Sequence, residues 1–140
     1  MRVFVTGVKG QLGHDVMNEL EKRGHEGYGV DIDEMDITDE AAVSRVITEA
    51  ALEAVIHCAA WTAVNAKGTE YIAKICRKLD IPMMYISTDY VFNGKGRHFW
   101  EPDDLNREPI NVYGQTKYEG ELAVENNLEK YFIVRIAWVF

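Results

Sequence analysis

Short apolar runs recur along the chain, and each is followed by a segment in which apolar residues return every three or four positions. Nearly continuous apolar runs are typical of parallel strands that are covered on both faces of a sheet. Five strands are predicted: Arg2 to Thr6, Glu26 to Val30, Ala54 to Cys58, Met83 to Ser87 and Phe132 to Ile136.

The segments between these runs predict amphipathic helices, since their apolar residues share one helical face. The three faces are Leu12, Val16 and Leu20; Val43, Val46 and Ile47; and Ile72, Ile75, Cys76 and Leu79. Gly24 is placed to end the first helix, and the third is expected from Asn65 to Leu79. Strands that alternate with helices predict right-handed βαβ units. The expected fold is a doubly wound, Rossmann-type parallel α/β sheet in three layers.

One long irregular segment interrupts this alternation. It runs from Asp89 to Val112, is rich in Gly, Asn, Asp and Pro, and follows the fourth predicted strand. Long loops at the carboxyl ends of parallel strands often hold ligands. The segment is therefore expected to border a binding site.

Composition adds limits to this fold. The chain has 140 residues and a formal net charge of −8, which predicts a single domain over 1–140 and argues against a nucleic-acid partner. No signal peptide and no apolar run of about 20 residues is seen, so we expect a cytoplasmic protein that does not bind membranes. Cys58 and Cys76 lack metal-like spacing and are expected to be buried, reduced thiols; no histidine shows ligand spacing, and no metal is expected.

Glycines are spaced along the first strand-to-helix turn. Gly7, Gly10 and Gly13 bracket Gln11 and Leu12, at the place where a dinucleotide fold needs backbone to approach a pyrophosphate. Glycines in such a turn can also serve tight packing alone. Their position in the first βα turn favours cofactor binding.

Two signals for the type of dinucleotide oppose each other. Asp31 follows the second strand, where an acid can accept hydrogen bonds from an adenosine ribose, and this favours NAD. Lys9 could pair with a 2′-phosphate instead. Further along, Asp36 and Ile37 are expected to border the adenine ring, whereas Asp33 and Glu34 are expected to be solvated.

Small residues follow the third strand. Ala59 and Ala60, with Trp61 after them, would let a cofactor's ribose and nicotinamide lie against backbone, although tight packing is the simpler explanation. Trp61 could be core or could wall the active site. His57 lies inside a buried strand and is more readily explained as a hydrogen-bonded core histidine than as a base or a ligand.

Thr88 and the pair Tyr113 and Lys117 carry candidate proton-transfer chemistry. Thr88 ends the fourth strand, where a hydroxyl can meet a carbonyl oxygen, and a tyrosine four residues before a lysine on a helix places phenol and ammonium side by side. We expect the ammonium to lower the tyrosine pKa from about 10 toward neutrality. A dinucleotide site beside a proton donor predicts a reductase.

These motifs resemble the extended short-chain dehydrogenase/reductases and, among them, the dTDP-4-dehydrorhamnose reductases. The resemblance runs from end to end. It rests on Val5 to Gly13, Asp36 to Asp39, Ala59 to Val64, Ser87 to Phe92, Asn111 to Lys117 and Arg135 to Phe140.

The resemblance implies reduction of the 4-keto group of a dTDP-linked 6-deoxyhexulose by NADPH or NADH. Thr88, Tyr113 and Lys117 would be catalytic: Tyr113 would donate the proton, Lys117 would also hold the nicotinamide ribose, and Thr88 would orient the carbonyl. Asp89 and Trp138 match positions that meet the sugar nucleotide. Two alternatives stay open: a non-catalytic dinucleotide-binding regulatory subunit, and a nucleotide-sugar epimerase or dehydratase.

Two departures from the family pattern are visible. Family members have a further segment, about one helix long, between the positions of Val64 and Asn65. They also continue beyond Phe140 into a smaller domain that closes on the sugar nucleotide, so the substrate domain is expected to be absent here. Apolar surface at 138–140 would then be exposed and predicts self-association, with a homodimer as a possible result.

Overall fold

The computed structural model describes residues 1–59, 65–95, 99–104 and 106–137, together with the backbone but not the side chain of Asn65. Strands and helices alternate along these residues. The strands are β1 (Arg2–Thr6), β2 (Glu26–Val30), β3 (Ala54–His57), β4 (Met83–Thr88) and β5 (Tyr131–Ile136). The helices are α1 (Gln11–Lys22), α2 (Glu40–Glu49), α3 (Asn65–Leu79) and α4 (Val112–Asn127), and a short 3₁₀ helix spans Asp89–Val91.

All five strands are parallel and form one sheet in the order β2-β1-β3-β4-β5. The chain therefore winds outward from β1 in both directions, and the carboxyl ends of the strands meet at one edge. This edge is where an open parallel sheet presents groups to a ligand. The predicted parallel α/β fold is confirmed.

The two faces of the sheet bury separate apolar clusters. Successive strand residues point to opposite faces, so Phe4 packs with α2, α3 and α4 on one face, while Val3 and Val5 pack with α1 on the other. The helices α1, α2 and α3 pack the apolar faces that their spacing predicts against these clusters. Helices on both faces give the expected three layers.

Local signals explain where the helices begin and end. Asp39 caps α2 by accepting hydrogen bonds from two backbone amides, and Asn111 caps α4 by accepting one from Gly114. Gly24 follows α1 with φ +73°, a left-handed conformation that glycine adopts without strain. The helix boundaries predicted for the first and third helices are correct within two residues.

Three boundaries differ from the predicted ones. β3 ends at His57, β4 continues through Thr88, and β5 begins at Tyr131. The predicted irregular segment also begins with a 3₁₀ turn, because the Thr88 hydroxyl accepts a hydrogen bond from the Tyr90 amide and caps it. Terminal residues of strands and helices commonly vary by this much.

Cys58 and Cys76 are buried and unpaired, as predicted. Among the described helices, none combines the length and the apolar character that crossing a bilayer requires.

Candidate active site

A cleft of about 800 Å³ opens at the carboxyl ends of β1, β2 and β3. Its walls come from the loop after β1, from the segment after β2 and from the end of β3. The residues that line it are Thr6, Gly7, Lys9, Gly10, Val30, Asp31, Ile32, Met35, Asp36, Ile37, Thr38, Cys58 and Ala59. A cleft of this volume and position suits a nucleotide-sized ligand.

The loop after β1 approaches β3 very closely. Gly7 has φ +74°, and a Cβ built on it would lie 2.9 Å from the backbone nitrogen of Ala59. Gly10 donates its amide to the Gly7 carbonyl at 3.1 Å and precedes the first residue of α1. Bare backbone and the positive end of a helix dipole thus face the cleft together, as an anion-binding turn requires.

Gly13 has a different task from Gly7 and Gly10. A Cβ on Gly13 would lie 2.2 Å from the Gly7 carbonyl oxygen, so this glycine lets α1 pack on the loop. Of the neighbouring candidate residues, Gln11 is exposed and Leu12 packs against the apolar cluster under α1. Gly13, Gln11 and Leu12 do not line the cleft.

Asp31 and Lys9 lie together at one end of the cleft. The Asp31 carboxylate accepts hydrogen bonds from the backbone amides of Lys9 and Ile32, each at 2.9 Å. The Lys9 ammonium pairs with Asp33, and this hydrogen bond raises the lysine pKa. The positive charge that could favour a 2′-phosphate is therefore already engaged by a carboxylate, although both partners are exposed.

Asp36 and Ile37 form the adjacent wall. The Asp36 carboxylate accepts hydrogen bonds from the amide and the hydroxyl of Thr38, both at 2.8 Å, and these lower its pKa. Ile37 lies over Gly68 of α3, where an added Cβ would be 2.8 Å from the isoleucine side chain. Both residues line the cleft, and their contact with an adenine ring stays a prediction.

His57 is a fully buried core histidine, as predicted. Its Nδ1 is 2.6 Å from the Thr6 hydroxyl, and its Nε2 is 3.1 Å from the Thr69 hydroxyl. Burial and the charge of Lys117 lower its pKa to about 3, so the ring is neutral at physiological pH. Next to it, Cys58 lines the cleft, and burial raises the pKa of its thiol to about 11.

Thr88 and Asp89 stand at the end of β4. The Thr88 hydroxyl donates to the Asp89 carboxylate at 3.1 Å and accepts from the Tyr90 amide at 3.3 Å. Thr88 is buried and Asp89 is exposed. A hydroxyl and a carboxylate are thus held beside each other at the ligand-facing edge of the sheet.

Lys117 is the most unusual side chain of the site. It is 1% exposed, and its Nζ has no hydrogen-bond partner among the described residues. The ammonium lies 4.7 Å from the centre of the Tyr85 ring. Burial lowers the lysine pKa to about 8, although nearby Cys58 and Glu121 oppose this.

Tyr113 lies one turn before Lys117 on α4 and is half-buried. Its ring meets the edge of Tyr90 at a centroid distance of 6.3 Å. A Cβ on the next residue, Gly114, would lie 2.2 Å from the Tyr90 carbonyl oxygen, so the start of α4 packs directly on the 3₁₀ turn. This close packing brings Tyr113 next to the Thr88 and Asp89 segment.

The predicted decrease in the Tyr113 pKa is wrong for this structure. Burial raises the pKa, and the Asp89 carboxylate and Tyr90 raise it further. The expected decrease followed from the charge of Lys117 alone, without the loss of hydration or the acid at the end of β4. Tyr113 is therefore a protonated phenol at neutral pH.

Sequence reasoning also missed the residues that support Lys117. Tyr85 donates its hydroxyl to the Lys117 carbonyl at 3.4 Å and stacks on His57. Gly120 gives this tyrosine room, since a Cβ there would lie 2.1 Å from the phenol oxygen. One signal was available, because a tyrosine stands within the otherwise apolar start of β4.

Three predicted site residues, Ala60, Trp61 and Trp138, lie outside the described residues, as do 138–140, on which the predicted self-association rests. That self-association stays a prediction.

A family model and similar curated relatives point to the same family. A family model for the RmlD substrate binding domain matches residues 1–140. A dTDP-4-dehydrorhamnose reductase of Mycolicibacterium smegmatis is 37% identical over 153 residues, which cover 99% of this chain and 46% of that protein. The aligned length exceeds 140 residues, so the relative has residues with no counterpart here.

Solved structures of proteins with the same name superpose closely on this chain. A dTDP-4-dehydrorhamnose reductase of Clostridium acetobutylicum superposes with a TM-score of 0.93 at 34% identity, covering 100% of this chain and 54% of that one. A dTDP-4-dehydrorhamnose reductase of Bacillus anthracis, crystallised with NADP, also gives 0.93 at 36% identity, covering 99% and 54%. The chain spans about half the length of the curated relatives it matches. Over its whole length, it belongs to the RmlD substrate binding domain family.

Proposed function

We propose that residues 1–140 are the dinucleotide-binding domain of a dTDP-4-dehydrorhamnose reductase. The reaction is reduction of the 4-keto group of a dTDP-linked 6-deoxyhexulose, with NADPH or NADH as reductant. Relatives at 33–37% identity that carry this name support the proposal, and the Bacillus anthracis neighbour was crystallised with NADP.

The observation that carries the proposal is the buried ammonium of Lys117. A charge that is removed from water without a partner is costly, so its presence indicates a ligand that supplies hydrogen-bond acceptors. Two vicinal hydroxyls of a ribose are such acceptors. Lys117 is not among the residues that line the cleft, but its charge lowers the pKa of Cys58, which does line it.

The cleft fits the rest of a dinucleotide. Gly7 and Gly10 leave backbone open to a pyrophosphate at the start of α1. Asp31 and Asp36 present carboxylates where an adenosine would lie. Asp31 favours a free ribose hydroxyl, whereas Lys9, which already pairs with Asp33, favours a 2′-phosphate.

A bound reduced nicotinamide supplies the hydride. We assign proton donation to Tyr113, whose raised pKa keeps the phenol protonated until the carbonyl oxygen gains negative charge. Lys117, one turn away, stabilises the phenolate that is left. Thr88 can turn its hydroxyl from Asp89 to the same carbonyl oxygen, and Asp89 is placed to contact the sugar nucleotide.

The test is an assay of nicotinamide oxidation with dTDP-4-dehydro-6-deoxyhexose, run on this chain and on a full-length version. The proposal expects one dinucleotide consumed for each sugar reduced, in at least the full-length protein. Turnover without net consumption would instead indicate an epimerase or dehydratase. Dinucleotide binding without any turnover in the full-length protein would indicate a regulatory subunit.

A further inference from the structure

Four charged side chains form a buried cluster beside Lys117. We call Arg107, Glu121, Glu125 and Arg135 the Glu121 cluster. Glu121, on α4, is fully buried, and both its oxygens are engaged. Arg135 of β5 donates to them at 2.8 and 2.9 Å, and Arg107 donates at 2.8 Å. Three segments of the chain thus meet at one carboxylate.

The cluster is bonded at two points to the loop before α4, which is described over 92–95, 99–104 and 106–111. Arg107, in that loop, also donates to Glu125 at 2.8 and 3.2 Å, one turn further along α4. Arg135 uses its remaining nitrogen to donate to the Pro102 carbonyl at 3.0 Å. The loop leads directly to Asn111, the cap of α4, and so to Tyr113.

Aromatic rings hold the two guanidinium groups in place. Arg135 lies 5.0 Å from the centre of the Phe92 ring, and Phe92 stacks on Trp100. Arg107 lies 5.0 Å from the centre of the Tyr118 ring. Stacked and forked arginines have little freedom to move, because both the planar face and the hydrogen-bonding edge are used.

Stability alone does not account for a cluster of this kind. Buried ion pairs cost desolvation that roughly offsets their attraction, and apolar side chains of similar size often serve as well. Burial opposes the ionisation of Glu121, but hydrogen bonds from Arg135 and Arg107 hold its pKa below the ordinary value. Glu121 is therefore ionised inside the protein, with its charge balanced by the two arginines.

That charge lies one helical turn after Lys117. The titratable and charged groups that face Lys117 are Glu121 on its own helix, His57 and Cys58 from the end of β3, and Tyr85 from β4. Of these, Glu121 is an anion held by two fixed arginines, and it raises the Lys117 pKa against the effect of burial.

We propose that Glu121 is a positioning residue for Tyr113 and Lys117. Through Arg107 and Arg135 it holds the segments 99–104 and 106–111 against α4 and β5, and its carboxylate keeps Lys117 an ammonium. The proposal rests on the proposed function only where it assigns Tyr113 and Lys117 to catalysis. The contacts with the loop and the charge effect on Lys117 exist without a cofactor. Both can therefore be measured on the unliganded chain.

The electrostatic effect is tested by NMR titration of the lysine side chains. We expect a Lys117 midpoint near pH 8 in the wild-type chain. Glu121→Gln should lower it by at least about half a pH unit, because a charge one helical turn away has that effect even in water and a larger one in the protein interior. The matched control, Glu125→Gln, removes an equivalent charge two turns away and should leave the midpoint unchanged. Equal midpoints in wild type and Glu121→Gln would overturn the proposal.

The effect on the loop is tested by amide hydrogen exchange over 99–104 and 106–111. Arg107→Lys keeps the charge but loses the fork, so exchange should become about tenfold faster, the scale of one lost charge-assisted hydrogen bond. The Lys117 midpoint should not move in this variant. Unchanged exchange would contradict the positioning role.

A further variant covers the case in which Glu121→Gln does not fold. Glu121→Asp keeps the charge but is too short to reach both arginines, so it should keep the Lys117 midpoint near that of wild type and still speed loop exchange. Wild-type exchange rates in both Glu121→Asp and Arg107→Lys would reject the proposal. Failure of the full-length protein to bind dinucleotide would reject the proposed function and leave these results standing.

Discussion

Replacing Gly13 by alanine should separate the two tasks of the glycine-rich turn. The added Cβ would lie 2.2 Å from the Gly7 carbonyl oxygen, 2.7 Å from the Gly7 carbonyl carbon and 2.9 Å from the Val8 Cα. All three are backbone atoms of a turn that is itself packed against Ala59. Neither partner can give way by turning a side chain, so α1 and the turn must move apart.

The size of the effect follows from two opposing contributions. Overpacking at a site that cannot relax costs about 3 kcal/mol, the upper end of the usual range. Alanine in place of glycine in a helix returns up to about 1 kcal/mol. The expected loss is therefore about 2 kcal/mol of unfolding free energy, or a decrease in Tm of roughly 6–10 °C for a domain of this size.

Gly10→Ala is the matched control. A Cβ at Gly10 would meet only the Gly7 carbonyl oxygen, at 3.3 Å, and φ there is −79°, which alanine adopts readily. Gly10 lines the cleft, whereas Gly13 does not. Gly10→Ala should thus keep the wild-type Tm within a few degrees but weaken NADPH binding at least tenfold. Thermal unfolding followed by circular dichroism and nicotinamide fluorescence titration measure both. A wild-type Tm for Gly13→Ala would refute the reasoning.

Three further predictions concern the site and the core. Lys117→Met should resist urea better than the wild-type chain at pH 7, measured without ligand. The difference should shrink as pH rises from about 8 toward 10.5. In that interval the unfolded wild-type chain binds a proton that the folded chain does not, so the free energy of unfolding of the wild type rises with pH. His57→Gln should make the free energy of unfolding depend less on pH below 6.5. In the wild type this free energy falls on acidification, because the unfolded chain gains a proton below pH 6.5 that the folded chain takes up only near pH 3. Tyr113→Phe in a full-length version should lose about 10²–10⁴-fold in kcat while the cofactor Kd stays close to wild type.

Each of these has a clear contrary result. A Lys117→Met chain no more stable than wild type at pH 7 would mean that the ammonium is well solvated. Parallel stability curves for His57→Gln and wild type between pH 4 and 6.5 would mean that another group takes up the proton. Near wild-type turnover in Tyr113→Phe would remove its role as proton donor.

The fold was predictable because its signals are local. Each apolar run is bounded by turn residues, and α1, α2 and α3 each have an apolar face that repeats at helical spacing. The helix α4 has no such face, because it buries Gly114, Lys117, Gly120, Glu121 and Val124. Strand order follows from the βαβ rule with little further information. Boundaries at Thr88 and Tyr131 were missed by one residue, because a capping hydroxyl and a strand end are set by tertiary contacts.

The site was predictable only in part, because its chemistry depends on contacts between distant residues. Glycine spacing located the turn but could not distinguish Gly13, which packs, from Gly10, which faces the cleft. The pKa of Tyr113 depends on burial and on Asp89, which is 24 positions earlier in the chain. Glu121 reads as an ordinary surface acid of a helix until Arg107 and Arg135 are seen around it.

The most direct test of the central claim is an equilibrium titration of this chain with NADPH and with NADH, followed by nicotinamide fluorescence, alongside the same titration of Lys117→Met. The account predicts saturable binding to the wild-type chain and at least tenfold weaker binding to a folded Lys117→Met, since the ribose hydroxyls lose their ammonium donor. No saturable binding to the wild-type chain, or equal affinity in the two proteins, would contradict the claim that Lys117 and the glycine-rich turn form one dinucleotide site.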